Sequence, residues 1–383
     1  MENVSKRIRE RFRAFTGTEQ LEGFSLRGLF ADVFKKHDAA EKEQIFAVGV
    51  PGAIPPIEEV NTSWPHPWMF VRALLGTSVV YLLFVLCWDM FENEKLLPGL
   101  ILTGTMAFPL ATLLLFFEVN VRRNVSLYQV IRLLFLGGIV SLLFSLVLFD
   151  LPIGGVEWLG DAIAGVIEEP GKLLAVLVVS NSARFPYKLN GLLFGACVGA
   201  GFAIFESMGY AFEMLLEADE IGEVTDIILL RGVLSPFAHI AWTAIAGAAL
   251  WRVKGDRPFK FKMLQDARFL RPFAVSVILH MIWNAGFELP FLGKYALVGF
   301  VSWAVVFSFV QEGLRELREE KRRLFLEKVR DYLANDGMID ADERRDLETL
   351  AATMGIEAKV MESLIASVHG GGQEEISKNK QGE

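Results

Sequence analysis

Apolar runs of about 20 residues, the length that crosses a bilayer as a helix, recur at roughly 69–88, 98–117, 129–149, 157–180, 190–212, 232–251, 270–289 and 292–311. The polar segments between them alternate in charge. DMFENEK, DLPIGGVE and EMLLEADEIGEVTD are acidic, whereas NVRRN, NSARFPYK and RVKGDRPFKFKMLQDARFLR are basic. Lys and Arg on every other loop predict a multi-pass chain of about eight spans with both termini cytoplasmic. The expected fold class is all-α: a polytopic membrane helix bundle with a small C-terminal soluble helical domain.

Outside the apolar runs the pattern changes. Residues 1–66 read as a cytoplasmic N-terminal arm. SKRIRERFRAF and FSLRGLFADVFKKHDAAEKEQIF look helical, and VGVPGAIPPIEE breaks any helix with its prolines. Phe24, Leu26, Leu29, Phe30 and Phe34 present an apolar face to a membrane surface or to a partner helix, and the arm as a whole is expected to pack on the first span. Residues 67–311 hold the bundle. Residues 312–369 read as amphipathic helices of a soluble module, a site for a cytoplasmic regulator, and 370–383 as a disordered tail. Within the module, NDGMIDADE predicts a turn and a helix start, with Asp340 as N-cap and Glu343 three residues on. As half of an EF-hand loop it fails. With Gly337 at loop position six, positions one and three fall on Tyr332 and Ala334, which offer calcium no side-chain ligand. The DG-x-I-x-x-x-E turn resembles that of small TerB-like helical modules.

Composition agrees with the membrane reading: 52% of the 383 residues are hydrophobic. A net charge of −8, with no basic block interleaved with aromatics, excludes a nucleic-acid partner. The two cysteines, Cys87 and Cys197, lie in apolar runs and read as core residues. The charged N-terminus has no apolar core of a cleavable signal.

Chemistry concentrates where lipid tolerates it least. GVIEEPGKLLAVLVV places Glu168, Glu169 and Lys172 within a span, and each such charge costs about 2.5–3.5 kcal/mol at the bilayer centre. The next spans bring Glu206, then His239, then His280 with Asn284. Glu169 and Lys172 stand at i, i+3, and Glu168 and Lys172 at i, i+4, so both pairs share a helix surface. His280 and Asn284 are likewise i, i+4. One central polar cavity in which these groups satisfy one another is the economical arrangement. There Lys172 compensates charge, a carboxylate serves as general base, and His and Asn stabilise an oxyanion. Glu168, Glu206, His239 and His280 are also a candidate zinc set, although no compact zinc motif is present. Zinc-assisted and metal-free hydrolysis both remain open. Gly191, Gly195, Gly199 and Gly201 form a small-residue ridge that lets a helix approach closely. Asp161 and Arg231, near span ends, read as structural residues that snorkel to water.

EEPGK fits an EExxK motif, FAIFE fits FxxxE, and His239 and HMIWN complete a set of four. Together they resemble the PrsW family of intramembrane proteases, within the superfamily of CAAX prenyl endopeptidases and bacteriocin-processing proteins, over about residues 150–290. The resemblance implies cleavage of membrane-anchored protein substrates in regulated signalling, in a prokaryotic plasma membrane. It implies that Glu168 activates water, that Glu169 and Lys172 shape the site, and that His280 and Asn284 stabilise the oxyanion. Glu206 stands where the CAAX branch has histidine, and His239 would supply that function. A proton-coupled transporter is the competing class, since membrane carboxylates and histidines also make proton relays. No repeat of the EExxK segment supports it. A catalytically inactive scaffold that binds membrane proteins is the third.

Overall fold

The computed structural model describes residues 10, 16, 23–50, 52–151, 157–180, 184–217 and 221–368. Among these residues every regular element is helical. The chain divides into two compact units, Met1–Ala53 with Trp64–Gly313 and Ile54–Ser63 with Leu314–Glu383.

In the first unit, α1 (Met69–Phe91) and α2 (Leu97–Val119) pack against each other. No residue of α1 is buried, although the helix is strongly apolar, as befits a lipid-facing span. Its first turn is closed by a neighbour: the Glu118 carboxylate on α2 accepts from the backbone N–H groups of Trp68, Met69 and Phe70 at 2.9–3.1 Å. A carboxylate satisfies three orphan donors there and complements the helix dipole. α3 runs over Leu127–Phe149 and contains one π-turn at Leu133–Gly137. Then follow α4 (Ile163–Ser180), α5 (Lys188–Glu217), α6 (Ile221–Leu234), α7 (His239–Lys254), α8 (Ala267–Asn284) and α9 (Gly293–Asp336).

Among the described residues, six helical stretches are long and apolar enough to cross a membrane: α1, Glu94–Val119, α3, α5, Ile221–Lys254, and Pro290–Asp336. Two of the eight runs expected from sequence, at 157–180 and 270–289, do not meet that measure. They form α4 and α8, of 18 residues each. Both are diluted by the polar groups of the candidate site, and α8 also by Arg268 and Arg271. Helices that turn polar side chains inward do not need a wholly apolar surface.

A second departure is α6. The acidic stretch after α5 reads as a loop, yet most of it is helical. α5 continues to Glu217, and α6 begins at Ile221. Val224 and Ile228 bury against Leu100, Ile101 and Ala211, giving α6 an apolar stripe that outweighs its charges. Pro236 then breaks the helix. A short turn at Ser235–Phe237 and a non-helical Ala238 intervene before α7 starts at His239.

Glycines set the closest contacts. A Cβ on Gly195 would lie 2.0 Å from the Thr243 carbonyl oxygen, and one on Gly199 would lie 2.5 Å from that of His239. Gly191, Gly195 and Gly199 therefore receive the backbone of α7 at van der Waals limit, whereas Gly201 of the same expected ridge faces Leu134 and Gly138 of α3. Within the N-terminal segment, Leu26–Leu29 and Ala39–Phe46 are short helices, the second closed by a capping box at Asp38. Phe24 packs on Trp64 and Phe307, and Leu29 is buried, whereas Phe34 is 94% exposed. The helix expected over SKRIRERFRAF and the tail 370–383 lie outside the described residues, Glu10 apart.

The second unit has its own core. Phe325 and Val329 of α9, Leu347, Ala351 and Met354 of α10 (Ala341–Met354), and Met361, Leu364 and Ile365 of a helix over 358–368 form it. Asp340 caps α10, with Glu343 returning the bond to the Asp340 N–H, and Gly337 takes φ +81° in the preceding turn. That is the turn the sequence pattern predicts.

Candidate active site

Glu168, Glu169 and Lys172 project from one surface of α4 and are buried. The Lys172 ammonium donates to Glu168 Oε2 at 3.1 Å, Glu169 Oε1 at 2.9 Å and His239 Nδ1 at 2.9 Å. Three N–H donors thus meet three acceptors. Nζ also lies 4.1 Å from the centre of the Phe202 ring, a cation–π contact.

The two histidines are held by different carboxylates. His280 Nδ1 lies 2.9 Å from Glu169 Oε1. A carboxylate only accepts, so Nδ1 carries a proton, and in the neutral imidazole Nε2 keeps its lone pair. That Nε2 is buried without a hydrogen-bond partner, 3.7 Å from Glu168 Oε2. His239 Nδ1 accepts from Lys172, so its Nε2 carries the proton and donates to Glu206 Oε2 at 3.1 Å. Both imidazoles thereby turn a basic nitrogen toward Glu168. Glu168 Oε2 lies 3.9 Å from His239 Nδ1.

Aromatic rings fix the imidazole planes. Trp242 stacks on His280 with centroids 4.5 Å apart and 25° between planes, and His239 meets His280 edge-on at 5.0 Å. Trp242 is itself anchored by donation to Ser302 Oγ at 3.0 Å. Helix approach places the whole set. Gly165, one turn before Glu168 on α4, sits against Val277 and Met281 of α8, where a Cβ would come within 2.8 Å.

Sequence-derived candidates divide in three. Glu168, Glu169, Lys172, His239 and His280 converge. Glu206 reaches the group from its outer side, through the far nitrogen of His239. Asn284, the last residue of α8, is half-buried, and none of the cluster's hydrogen bonds reaches it. Arg231 departs from its expectation. It does not snorkel to water: its Nη2 donates to Glu206 Oε2 at 2.5 Å, its Nε to Ser207 Oγ at 3.2 Å, and the guanidinium covers the Tyr210 ring at 4.0 Å. The signal for this was the buried acid itself, since Glu206 needs a cation that no residue of its own span supplies.

A metal ion has a donor set here. Single donor atoms of Glu168, His239 and His280 lie within 4.8 Å of one another. Two imidazoles with lone pairs inward and one carboxylate are a familiar catalytic zinc set. The separations of 3.7 and 3.9 Å to Glu168 Oε2 are near the value of about 3.3 Å between ligands of a tetrahedral zinc ion. Glu169 and Glu206, each on the opposite ring nitrogen, complete carboxylate–histidine pairs of the kind that orient metal ligands. The orphaned His280 Nε2 is the observation that favours the fit. Glu206, by contrast, faces the protonated nitrogen of His239 and stands outside the three-donor group.

A family model described as PrsW family intramembrane metalloprotease matches residues 126–310, just under half of the chain. The match contains α4 to α8 and every residue of the cluster. It ends before the second unit, so it lends no support to a TerB-like identity there. Comparison with curated proteins finds no match, and neither does comparison with solved structures.

Proposed function

We propose that this multi-pass membrane protein is an intramembrane protease that hydrolyses peptide bonds of membrane-anchored protein substrates. The observation that carries the reading is the convergence of Glu168 Oε2, His239 Nδ1 and His280 Nε2, contributed by three helices, inside a segment similar to an intramembrane metalloprotease family. The pattern of loop charges favours cytoplasmic termini, and a membrane-anchored regulator of signalling is the substrate class the resemblance suggests.

Each residue then has a part. Glu169 and Glu206 hold the two imidazoles in complementary tautomers, so that His280 Nε2 is left without a bond and His239 Nδ1 accepts only from Lys172. Glu168, the least enclosed carboxylate of its pair, takes a proton from attacking water. His280 Nε2, 3.7 Å from Glu168 Oε2, is placed to receive that proton and return it to the departing amide nitrogen. Lys172 neutralises one of two adjacent acids, without which both would resist ionising together.

Were zinc resident, Glu168, His239 and His280 would hold it, and it would supply Lewis-acid polarisation of the scissile carbonyl. The role of Glu168 separates the two forms of the reading, because a carboxylate that is a ligand is a poorer base. Purified protein with single-span substrates tests the proposal, comparing wild type with Glu168→Gln and His280→Ala. Both variants are expected to lose cleavage, and undiminished cleavage by both overturns the assignment. Repeating the assay under a strong chelator distinguishes zinc-assisted from metal-free hydrolysis.

A further inference from the structure

Lys172 already engages two of the three groups that a metal ion would need. Two of the three candidate donors, Glu168 Oε2 and His239 Nδ1, already receive its ammonium protons at 3.1 and 2.9 Å. The third proton is taken by Glu169, and Phe202 closes the fourth side. The side chain is wholly buried, so it is not a surface lysine that happens to lean inward. A metal bonds nitrogen and oxygen at about 2.0–2.2 Å, and the single lone pair of His239 Nδ1 cannot serve an ammonium and a metal at once. Two cations also repel strongly in an apolar surround.

We propose that Lys172 is a resident competitor for metal: its ammonium and a divalent cation occupy the site in turn, and metal enters only as Lys172 leaves Glu168 and His239. The proposal rests on the three-donor site described above and not on proteolysis, so its failure leaves metal-free hydrolysis by Glu168 intact. Conversely, absence of cleavage would not touch the competition.

The test uses the full chain in detergent and zinc chloride as probe, with affinity read by competition against a chromogenic chelator. Lys172→Met is expected to bind one zinc ion about tenfold more tightly or better than wild type, because the binding-competent fraction rises when the competitor is removed. Adding His239→Ala or His280→Ala to Lys172→Met should abolish the gain. Equal affinity in Lys172→Met and wild type, no zinc binding by either, or a gain that survives loss of the histidines overturns the proposal. Where Lys172→Met does not fold, Lys172→Met with Glu169→Gln, which removes one positive and one negative charge together, is read by the same criteria. A wild-type experiment separates displacement from simple electrostatics. Acetylation of Lys172, mapped by mass spectrometry, is expected to accelerate under saturating zinc, and an unchanged rate overturns displacement.

Discussion

Arg231 Nη2 lies 2.5 Å from Glu206 Oε2, the carboxylate that accepts from His239 Nε2. A residue on α6 thereby reaches the candidate active site through two hydrogen bonds. Arg231 is a positioning residue, for it touches none of the converging donor atoms.

Replacing Arg231 with Met leaves Glu206 with His239 alone. The loss of a charge-assisted bond is expected to cost about 1.5–3 kcal/mol, read as thermal stability in detergent, and Arg231→Lys should recover part of it. The more telling readout is nitrogen NMR of His239. Wild type should show the proton on Nε2, and Arg231→Met should weaken that preference. An unchanged tautomer would remove Arg231 from the site.

The two adjacent acids of α4 should separate by phenotype. Glu169 is wholly buried and bonds both Lys172 and His280. Glu169→Ala leaves Lys172 with Glu168 and His239 but removes its bond to Glu169 and frees the His280 imidazole, so each of the two lost charge-assisted bonds should cost about 1.5–3 kcal/mol. Glu168→Gln keeps the shape and should retain most stability while lowering cleavage by about 10²–10⁴-fold. Unfolding curves and initial rates on the same preparations decide this, and the reverse ranking would exchange the roles.

Close helix approach gives a test that involves no polar group. Gly195→Ala places a methyl 2.0 Å from the Thr243 carbonyl oxygen, so α7 must shift and carry His239 with it. A loss of about 1–3 kcal/mol is expected. Gly209→Ala, on the same helix with nothing within 4 Å of its added methyl, should gain about 0.5–1 kcal/mol. Comparable melting temperatures for the two variants would contradict this packing.

Trp242→Leu removes the ring under His280 and the bond to Ser302. The aromatic contact contributes about 0.5–1.5 kcal/mol beyond its buried area. Cleavage should fall mainly through kcat, since the imidazole loses its orientation. A change confined to KM would place Trp242 in substrate binding instead.

Much of this arrangement was legible in the residues alone. Apolar runs identify six of the eight expected spans, and the i, i+3 and i, i+4 spacings already bring Lys172 to Glu169 and Glu168. The capped turn at Asp340 follows from its own nine residues. All of these relations lie within a single helix or turn, where backbone geometry dictates which side chains are neighbours. Those that run between helices were not legible. His280 and Asn284 share a helix surface by spacing, yet His280 enters the cluster and Asn284, at the helix end, does not. Arg231 reads as a residue bound for water because it lies at the end of an expected span. Which nitrogen of each histidine faces inward depends on how far α5, α7 and α8 rotate and how closely they approach. Packing settles both, through Gly165, Gly195 and Gly199, the break at Pro236 and the stack on Trp242. The sequence by itself determined which groups had to be satisfied inside the membrane. Tertiary structure decided which partner satisfied each, because interhelical distance and rotation are set by contacts that no single helix contains.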